Sequence, residues 1–358
     1  MMLVSLWATP DIAQSVRKVL GLTYGIALVY TIIDLGLVAE TWQIAALVLA
    51  LGSGSALLSF MGTRWTVKFG FLRELVEAIP RLLPQVLPSV EGFNPNTVAG
   101  TLITFVPLQA ALSLCLLYYP IRRRWYRWGA WIGVIGSSVM TLGVVLLSQS
   151  RAAWAALGLG MMAFLWLAFR RLRPVLGVLV LALGVGILFL GPGFIQTWLD
   201  QASTLDMNTL SLAGRIEIWS RALYGVMDFP FTGMGMDMFR EVVWILYPLF
   251  RIPPNRDIGH AHNVFLQTAL DLGIPGLICY LALLGVTLFL GYRVFRLRKS
   301  SYVHLVALGA ACGLWVHALW GLIDALPLGS RTQFLWWAVV GLVLVTYRDF
   351  TEAPVGRG

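Results

Sequence analysis

The sequence contains little charge and little cysteine. Only 12% of its 358 residues are charged and 58% are hydrophobic, which is more apolar surface than a soluble domain of this size can bury. The three cysteines, Cys115, Cys279 and Cys312, lie far apart and form no CxxC or Cys/His spacing. They therefore indicate neither a disulfide framework nor a structural zinc site. The first residues, MMLVSLWATPDIAQ, lack the basic start of a cleavable signal peptide.

Long apolar runs are what the sequence has instead. A helix that crosses the bilayer core of about 30 Å needs about 20 apolar residues. We therefore predict an all-α polytopic membrane protein with about nine transmembrane helices, within a range of eight to ten, and one large extracytoplasmic helical loop. The spans are predicted near 20–38, 43–62, 99–119, 128–149, 152–169, 174–194, 275–292, 302–322 and 333–348.

These spans divide the chain into three predicted parts. Residues 1–194 form transmembrane helices and include an interfacial segment near 68–98. Residues 195–274 form the extracytoplasmic loop with amphipathic helices, and residues 275–358 form the C-terminal transmembrane helices.

The loop of residues 195–274 contains two predicted helices. The first includes Arg215 and ends near Asp228, because Pro230, Gly233 and Gly235 follow it. The second is predicted over residues 238–250 and lies in the membrane interface. The loop is therefore expected to lie on the membrane as a cap.

The net charge of +9 is concentrated in three clusters between spans. Their alternation satisfies the positive-inside rule for three cytoplasmic loops, so the basic charge indicates topology and not nucleic-acid binding. The same topology places the N-terminus, Arg151, residues 195–274 and the turn with Asp324 and Arg331 on the outer side. The clusters are Arg122, Arg123, Arg124 and Arg127; Arg170, Arg171 and Arg173; and Arg293, Arg296, Arg298 and Lys299.

The segment HAHNVFLQTALDLGIPG begins at His260 and carries the residues best suited to catalysis. Asn263 is a predicted N-cap of a short helix near 264–272, and Gly273 and Pro275 interrupt that helix before a new one starts. His262 thus stands at a helix start that favours anions, and a histidine there can accept a proton near neutral pH as a general base. Alternatively, both histidines only bond to carbonyls of the loop.

Two arginines on the same predicted face suit a phosphate ligand. The guanidinium groups of Arg151 and Arg215 match phosphate oxygens, although each side chain can instead reach the interface or pair with a carboxylate. For Arg215 the available carboxylates are Glu217 and Asp206. Together with His262, the two arginines suggest a site for a lipid-linked phosphate.

Four residues are candidates for supporting roles: His260, Asn263, Asp324 and Arg331. Asp324 is placed to orient His262 or to pair with Arg331, and the ion pair is the expectation. His260 is expected to shape the loop and not to assist His262 directly.

The order of these motifs resembles the O-antigen ligase and polymerase superfamily. His262-Asn263, nine residues and Gly273-Ile274-Pro275-Gly276 match the H-[N/S/Q]-x9-G-x-x-G pattern of the O-antigen ligases. The stretch GRIEIWSRALYGVMDFPFTGMG resembles an R-x-x-x-W…P-x-x-G-x-G segment of the wider superfamily. SQSRAAWAAL and NPNTVAG are similar to two other recurring stretches, so the resemblance covers roughly residues 94–345.

The resemblance implies metal-independent, inverting glycosyl transfer without a cofactor, at the outer face of the bacterial inner membrane. The implied donor is a glycan on undecaprenyl diphosphate, and the acceptor is a hydroxyl of lipid A core, another glycan or a protein, in surface polysaccharide biosynthesis. In the implied mechanism His262 deprotonates the acceptor, while Arg151 and Arg215 hold the diphosphate among membrane lipids.

The sequence departs from the family at two points and leaves alternatives open. First, Ala155 stands where the ligases have leucine in R-x-x-x-L. Second, the family usually has more spans than the nine predicted here, so the chain is expected to be short at its N-terminus. A polymerase or a protein O-oligosaccharyltransferase would use the same groups. A solute transporter is less favoured, because its polar residues would lie near the midplane on broken helices.

Overall fold

The structure is a computed structural model that describes residues 1–79, 92–119, 121, 123–204, 212–253, 257–297 and 302–352. Helix dominates these ranges, and no β-strand occurs within them, which confirms the all-α class. Four residues named above lie outside the described residues: Arg122, Asp206, Arg298 and Lys299.

The α-helices follow one another with short connections. They are α1 (Met2–Ala8), α2 (Ile12–Val38), α3 (Thr41–Gly62), α4 (Arg73–Glu77), α5 (Pro95–Leu102), α6 (Val106–Tyr118), α7 (Arg124–Leu147), α8 (Arg151–Ala168), α9 (Arg173–Thr204), α10 (Leu212–Asp228), α11 (Phe239–Leu246), α12 (Val264–Leu297), α13 (Val303–Trp320) and α14 (Phe334–Glu352). Short 3₁₀ helices cover Gly70–Leu72, Ile103–Phe105, Arg170–Leu172 and Arg331–Gln333.

Eight segments in the described part of the chain are long and apolar enough to cross a membrane. This number lies within the predicted range of eight to ten. The sixth predicted span, 174–194, falls within α9, which is not among the eight. The eight segments are α2, α3, α5 with α6, α7, α8, α12, α13 and the 3₁₀ helix Arg331–Gln333 with α14.

Helix α13 forms the centre of the bundle. It contacts α6, α8, α12 and α14, and 83% of its most apolar stretch is buried. Close packing depends on small residues, because a Cβ at Gly313 would lie only 2.1 Å from the carbonyl oxygen of Thr104. The apolar side chains of α7, such as Ile132 and Val139, are exposed, which suits a surface that faces lipid.

The described residues of the basic clusters lie at one end of the bundle, called here the basic end. The rings of Tyr119 and Tyr302 are 6.5 Å apart, so the end of α6 and the start of α13 lie side by side there. At the other end of α13, Leu326 shares a buried cluster with Ala153 from the first turn of α8. This opposite end, called the site end, contains α10, α11 and the loop of residues 321–330.

The N-terminus also lies at the site end. Ser5 in α1 donates its hydroxyl hydrogen to the carbonyl of Asp271, at 2.8 Å. Lys18, a basic residue on the outer side of the predicted topology, forms an ion pair of 3.3 Å with Asp237 from the segment between α10 and α11. The ion pair with Asp237 therefore stabilises a lysine that the positive-inside rule does not favour at this end.

The two amphipathic helices form, but the second is shorter than predicted. Helix α10 ends at Asp228 as expected, and Gly233 and Gly235 take left-handed φ values of 69° and 100°. Helix α11 ends at Leu246, four residues before the predicted end. The cause is Pro248, because the residue before a proline avoids helical backbone, and Tyr247 has φ −130° and ψ 71°.

Candidate active site

His262 and Asp324 meet at the site end of the bundle. The Nδ1 atom of His262 lies 3.0 Å from Oδ1 of Asp324, although the residues come from different loops. Asp324 follows α13, and its side chain is only 5% exposed, whereas that of His262 is 18% exposed. The pair thus has a fixed, buried carboxylate and an imidazole with access to the surface.

Backbone and side-chain hydrogen bonds join these two loops. Asn263 caps α12, since its Oδ1 accepts from the amides of Phe265 and Leu266 at 2.9 and 3.0 Å, and this confirms the predicted N-cap. The same side chain donates to the carbonyl of Leu322 at 3.0 Å, and the amide of Val264 donates to Gly321 at 2.7 Å. The start of α12 therefore has a fixed position against the loop that holds Asp324.

The backbone of His262 is strained. Its φ is 47°, in the left-handed region that costs a residue with a Cβ about 1–2 kcal/mol. Hydrogen bonds hold this conformation: Trp219 donates its indole N–H to the His262 carbonyl at 3.2 Å, and the His262 amide donates to Nδ1 of His260 at 3.2 Å. Such strain is typical of functional positions whose surroundings hold them in place.

The carboxylate of Asp324 sets the proton positions on His262. Burial by itself raises the pKa of Asp324, but the nearby His262, its hydrogen bond and the charge of Arg215 outweigh burial and hold that pKa below its usual range. An ionised carboxylate only accepts hydrogen bonds, so in the neutral form of His262 Nδ1 donates and Nε2 keeps its lone pair. This tautomer is the one that a general base requires.

His260 stays neutral beside this pair. Burial, followed by the charge of His262, lowers its pKa from 6.5 to about 3. Its ring centroid lies 4.4 Å from that of His262, and its Nε2 lies 4.0 Å from Asp324 Oδ1. Because its Nδ1 accepts the His262 amide hydrogen, this geometry matches the loop-shaping role expected from the sequence.

Arg215 brings positive charge to the same carboxylate. One of its terminal nitrogens lies 3.9 Å from Asp324 Oδ2, and its side chain is 15% exposed. Its buried Nε makes no hydrogen bond to any residue that the structure describes. Glu217, a sequence-based candidate partner, instead accepts from the amides of Phe250 and Arg251. Arg215 therefore has at least one buried donor, Nε, that no described residue satisfies.

Arg151 and Arg331 lie at the same end of the bundle. Arg151 is partly buried and begins α8, two residues before Ala153, which packs in the cluster of Leu326. Arg331 is exposed at the start of its 3₁₀ helix. The expected Asp324–Arg331 ion pair is wrong: among the described contacts, the carboxylate faces His262, His260 and Arg215.

The glycines of the two family motifs meet at a break in α12. At Gly273, with φ 72° and ψ 176°, the helix is interrupted as predicted. In a regular helix the Ile274 amide would donate to the Leu270 carbonyl, and the break at Gly273 removes this hydrogen bond. The turn after α10 satisfies both, because the Met234 amide donates to Leu270 and Ile274 donates to Pro230, each at 2.7 Å.

Three residues of the site carry donor atoms that suit a metal ion. Nitrogens of His260 and His262 and an oxygen of Asp324 all lie within 4.8 Å of one another. Imidazole and carboxylate are ligands that Zn²⁺ accepts. Arg215 adds a positive charge beside the same carboxylate, which opposes a bound cation.

Sequence reasoning did not assign a role to Trp219, Gln267 or Asp271. Trp219 contacts the His262 carbonyl, and Gln267 contacts the backbone one residue earlier, at Ala261. For Gln267 and Asp271 the available signal was their spacing, which places both on one face of a helix, and for Trp219 it was the R-x-x-x-W motif. Ser5 precedes the first predicted span, so its contact with Asp271 was not foreseen.

Comparison with known protein families finds a match in the central region of the chain. Residues 136–281 match the family model described as O-Antigen ligase, and this match confirms the resemblance to the O-antigen ligase-like superfamily of glycosyltransferase-like membrane enzymes. The match covers less than half of the chain. It contains Arg151, Arg215, His260 and His262, and Asp324 lies beyond it. No curated protein matches the chain.

Proposed function

We propose, from the O-antigen ligase match over residues 136–281 and the geometry at His262, that the chain transfers a glycan from undecaprenyl diphosphate to an acceptor hydroxyl. The observation that carries the proposal is the 3.0 Å contact between His262 Nδ1 and Asp324 Oδ1, beside the partly buried Arg215. This arrangement combines an oriented base with a positive charge for a leaving group.

His262 acts as the general base. The acceptor oxygen attacks the anomeric carbon, and its proton moves to Nε2 of His262 as the new C–O bond forms. The bond from the anomeric carbon to the diphosphate oxygen breaks, and the electron pair leaves with the diphosphate. Attack opposite the leaving group inverts the anomeric centre. Asp324 stabilises the imidazolium that results, because its carboxylate already accepts from Nδ1.

Arg215 and Arg151 hold the diphosphate. Guanidinium groups bind phosphate oxygens in pairs and offset the charge that develops as the bond breaks. The buried Nε of Arg215, without a hydrogen-bond partner among the described residues, supports this role. In this mechanism the arginines supply the charge that a divalent ion supplies in other glycosyl transfers, so no metal or cofactor takes part.

The site faces the exterior or periplasm of a bacterial inner membrane in this proposal. The positive-inside rule supports this orientation, because Arg123, Arg170 and Arg296 lie at the end opposite His262. A lipid-linked donor then reaches the site from the outer leaflet. The proposed acceptor class is a hydroxyl of lipid A core, and a growing glycan or a protein hydroxyl is an outcome that product analysis distinguishes.

The test is His262→Ala in proteoliposomes supplied with the lipid-linked donor and an acceptor. We expect a folded protein, no glycan transfer and unconsumed donor, whereas a long product ladder from the wild type would identify a polymerase. His304→Ala, in α13 near the basic end, is the matched control and should keep full activity. Normal transfer by His262→Ala would refute the general-base assignment.

A further inference from the structure

Gln267 connects the histidine loop to the interior of the protein. Its Oε1 accepts the amide hydrogen of Ala261 at 2.8 Å, and its Nε2 donates to Oδ1 of Asp271 at 2.8 Å. The two contacts fix the orientation of the amide, since the Ala261 amide can only donate. Gln267 and Asp271 are each 1% exposed, so bulk water does not hydrate either side chain.

Asp271 is itself held by the segment that precedes α11 and by the N-terminus. Its Oδ1 also accepts from the amide of Asp237 at 3.2 Å, and Asp237 pairs with Lys18. Ser5 accepts from the Met236 amide at 2.9 Å and donates to the carbonyl of Asp271 at 2.8 Å. Gln267 and the Asp237 amide therefore hold the Asp271 carboxylate, and Ser5 holds the backbone of the same residue.

The bonds continue to the proposed base. Ala261 lies between His260 and His262, and the His262 amide donates to Nδ1 of the His260 ring. A left-handed φ of 47° at His262 persists only if the backbone on both sides is held. Trp219 holds the carbonyl of His262, and Gln267 holds the amide of the preceding residue, Ala261.

We propose that Gln267 is a positioning residue for His262, and that Asp271 acts through it. By accepting the Ala261 amide hydrogen, Gln267 fixes the turn that aims Nδ1 of His262 at Asp324. This inference rests on the proposed function of His262. The alternative is that Gln267 and Asp271 only satisfy buried polar groups near the break at Gly273 and contribute to stability alone.

The test compares Gln267→Met with wild type in the purified full chain. We expect kcat to fall by about 10–100-fold, the effect typical of a group that orients an imidazole, while KM for the lipid-linked donor changes less than about twofold. The change in KM is small because Gln267→Met keeps Arg151 and Arg215, which are proposed to hold the diphosphate. Asp271→Leu should behave in the same way. Asp271→Asn should restore most activity, because its amide oxygen still accepts from Gln267 and Asp237.

Gln109→Met is the matched control for removal of a buried glutamine. Gln109 is also 1% exposed and donates to Ser137 and Thr141 at 2.8 and 2.9 Å within the bundle. We expect this variant to lose thermal stability and to keep kcat per folded molecule. An equal loss of kcat in both glutamine variants, or wild-type kcat in Gln267→Met, would overturn the positioning role. Full activity of His262→Ala would instead overturn the proposed function.

Discussion

The indole N–H of Trp219 donates to the carbonyl oxygen of His262 at 3.2 Å. Trp219 lies one helical turn after Arg215 in α10, so a single helix supplies both a cation beside Asp324 and a support for the histidine loop. The spacing R-x-x-x-W thereby has a physical meaning. Arg215 lies beside the carboxylate of Asp324, and Trp219 holds the backbone of His262, the proposed base.

We predict that Trp219→Phe lowers kcat by up to about tenfold. Phenylalanine keeps the packing of the ring but loses one hydrogen bond, worth about 0.5–1.5 kcal/mol, to the strained residue. The measurement is single-turnover transfer with the lipid-linked donor. Trp65→Phe is the matched control, because Trp65 donates to the carbonyl of Phe60 at 3.3 Å in a separate buried cluster. Equal activity of both variants and wild type would contradict the prediction.

The sequence predicted those features that depend on local physics. The length of the apolar runs predicted the membrane spans, and the side chain of Asn263 predicted the helix cap. The backbone freedom of Gly273 predicted the break in α12. The Lys18–Asp237 pair, in contrast, joins residues more than 200 positions apart. Periodicity carries no information about such contacts.

The partner of Asp324 could not be predicted for the same reason. Arg331 is seven residues away in sequence, and His262 is 62 residues away. Proximity in sequence favoured the arginine, but the left-handed turn at His262 and the Gly321–Val264 hydrogen bond bring the histidine to the carboxylate. Tertiary packing thus decided the pairing.

We expect Asp324→Asn to reduce kcat by between about 10-fold and about 10⁴-fold. The amide can donate to Nδ1 of His262, which favours the tautomer whose Nε2 is protonated and unable to act as a base. Steady-state kinetics with circular dichroism as a folding check provides the measurement. Asp257→Asn, which breaks the exposed ion pair with Arg240, should leave kcat unchanged. An unaltered kcat in Asp324→Asn would remove Asp324 from the mechanism.

Acidification should destabilise the protein through His260. Its pKa is 6.5 in the unfolded chain and about 3 when folded, so between these pH values the unfolded state binds more protons. The stability that the neutral imidazole contributes is complete above pH 6.5 and is lost progressively as the pH falls toward 3. We expect Tm to fall over this range, and to fall less steeply in His260→Gln. The control His304→Gln should keep the wild-type slope; identical slopes in all three proteins would contradict the assignment.

Metal removal should leave transfer unchanged, whereas added Zn²⁺ should inhibit it. Treatment with EDTA should leave transfer intact, because the proposed step uses Nε2 of His262 and no metal. Added Zn²⁺ should inhibit, since it binds nitrogen and oxygen at about 2.0–2.2 Å and the donors of His260, His262 and Asp324 lie within 4.8 Å of one another. His260→Gln should raise the inhibitory Zn²⁺ concentration by about tenfold, as expected for the loss of one ligand. Loss of activity in EDTA that Mg²⁺ or Mn²⁺ restores would instead show a metal-dependent reaction.

Replacement of Arg215 by lysine should impair transfer while the positive charge is kept. Lysine lacks the planar fork that binds two phosphate oxygens together, so we expect kcat/KM for the lipid-linked donor to fall by about 10–100-fold. Arg221→Lys is the matched control on the same helix, because Arg221 donates to the carbonyl of Pro248 at 2.9 Å and its guanidinium lies over the ring of Phe250. If the two lysine variants keep equal, full activity, Arg215 serves only as the ion-pair partner of Asp324, and the diphosphate must be held by other groups.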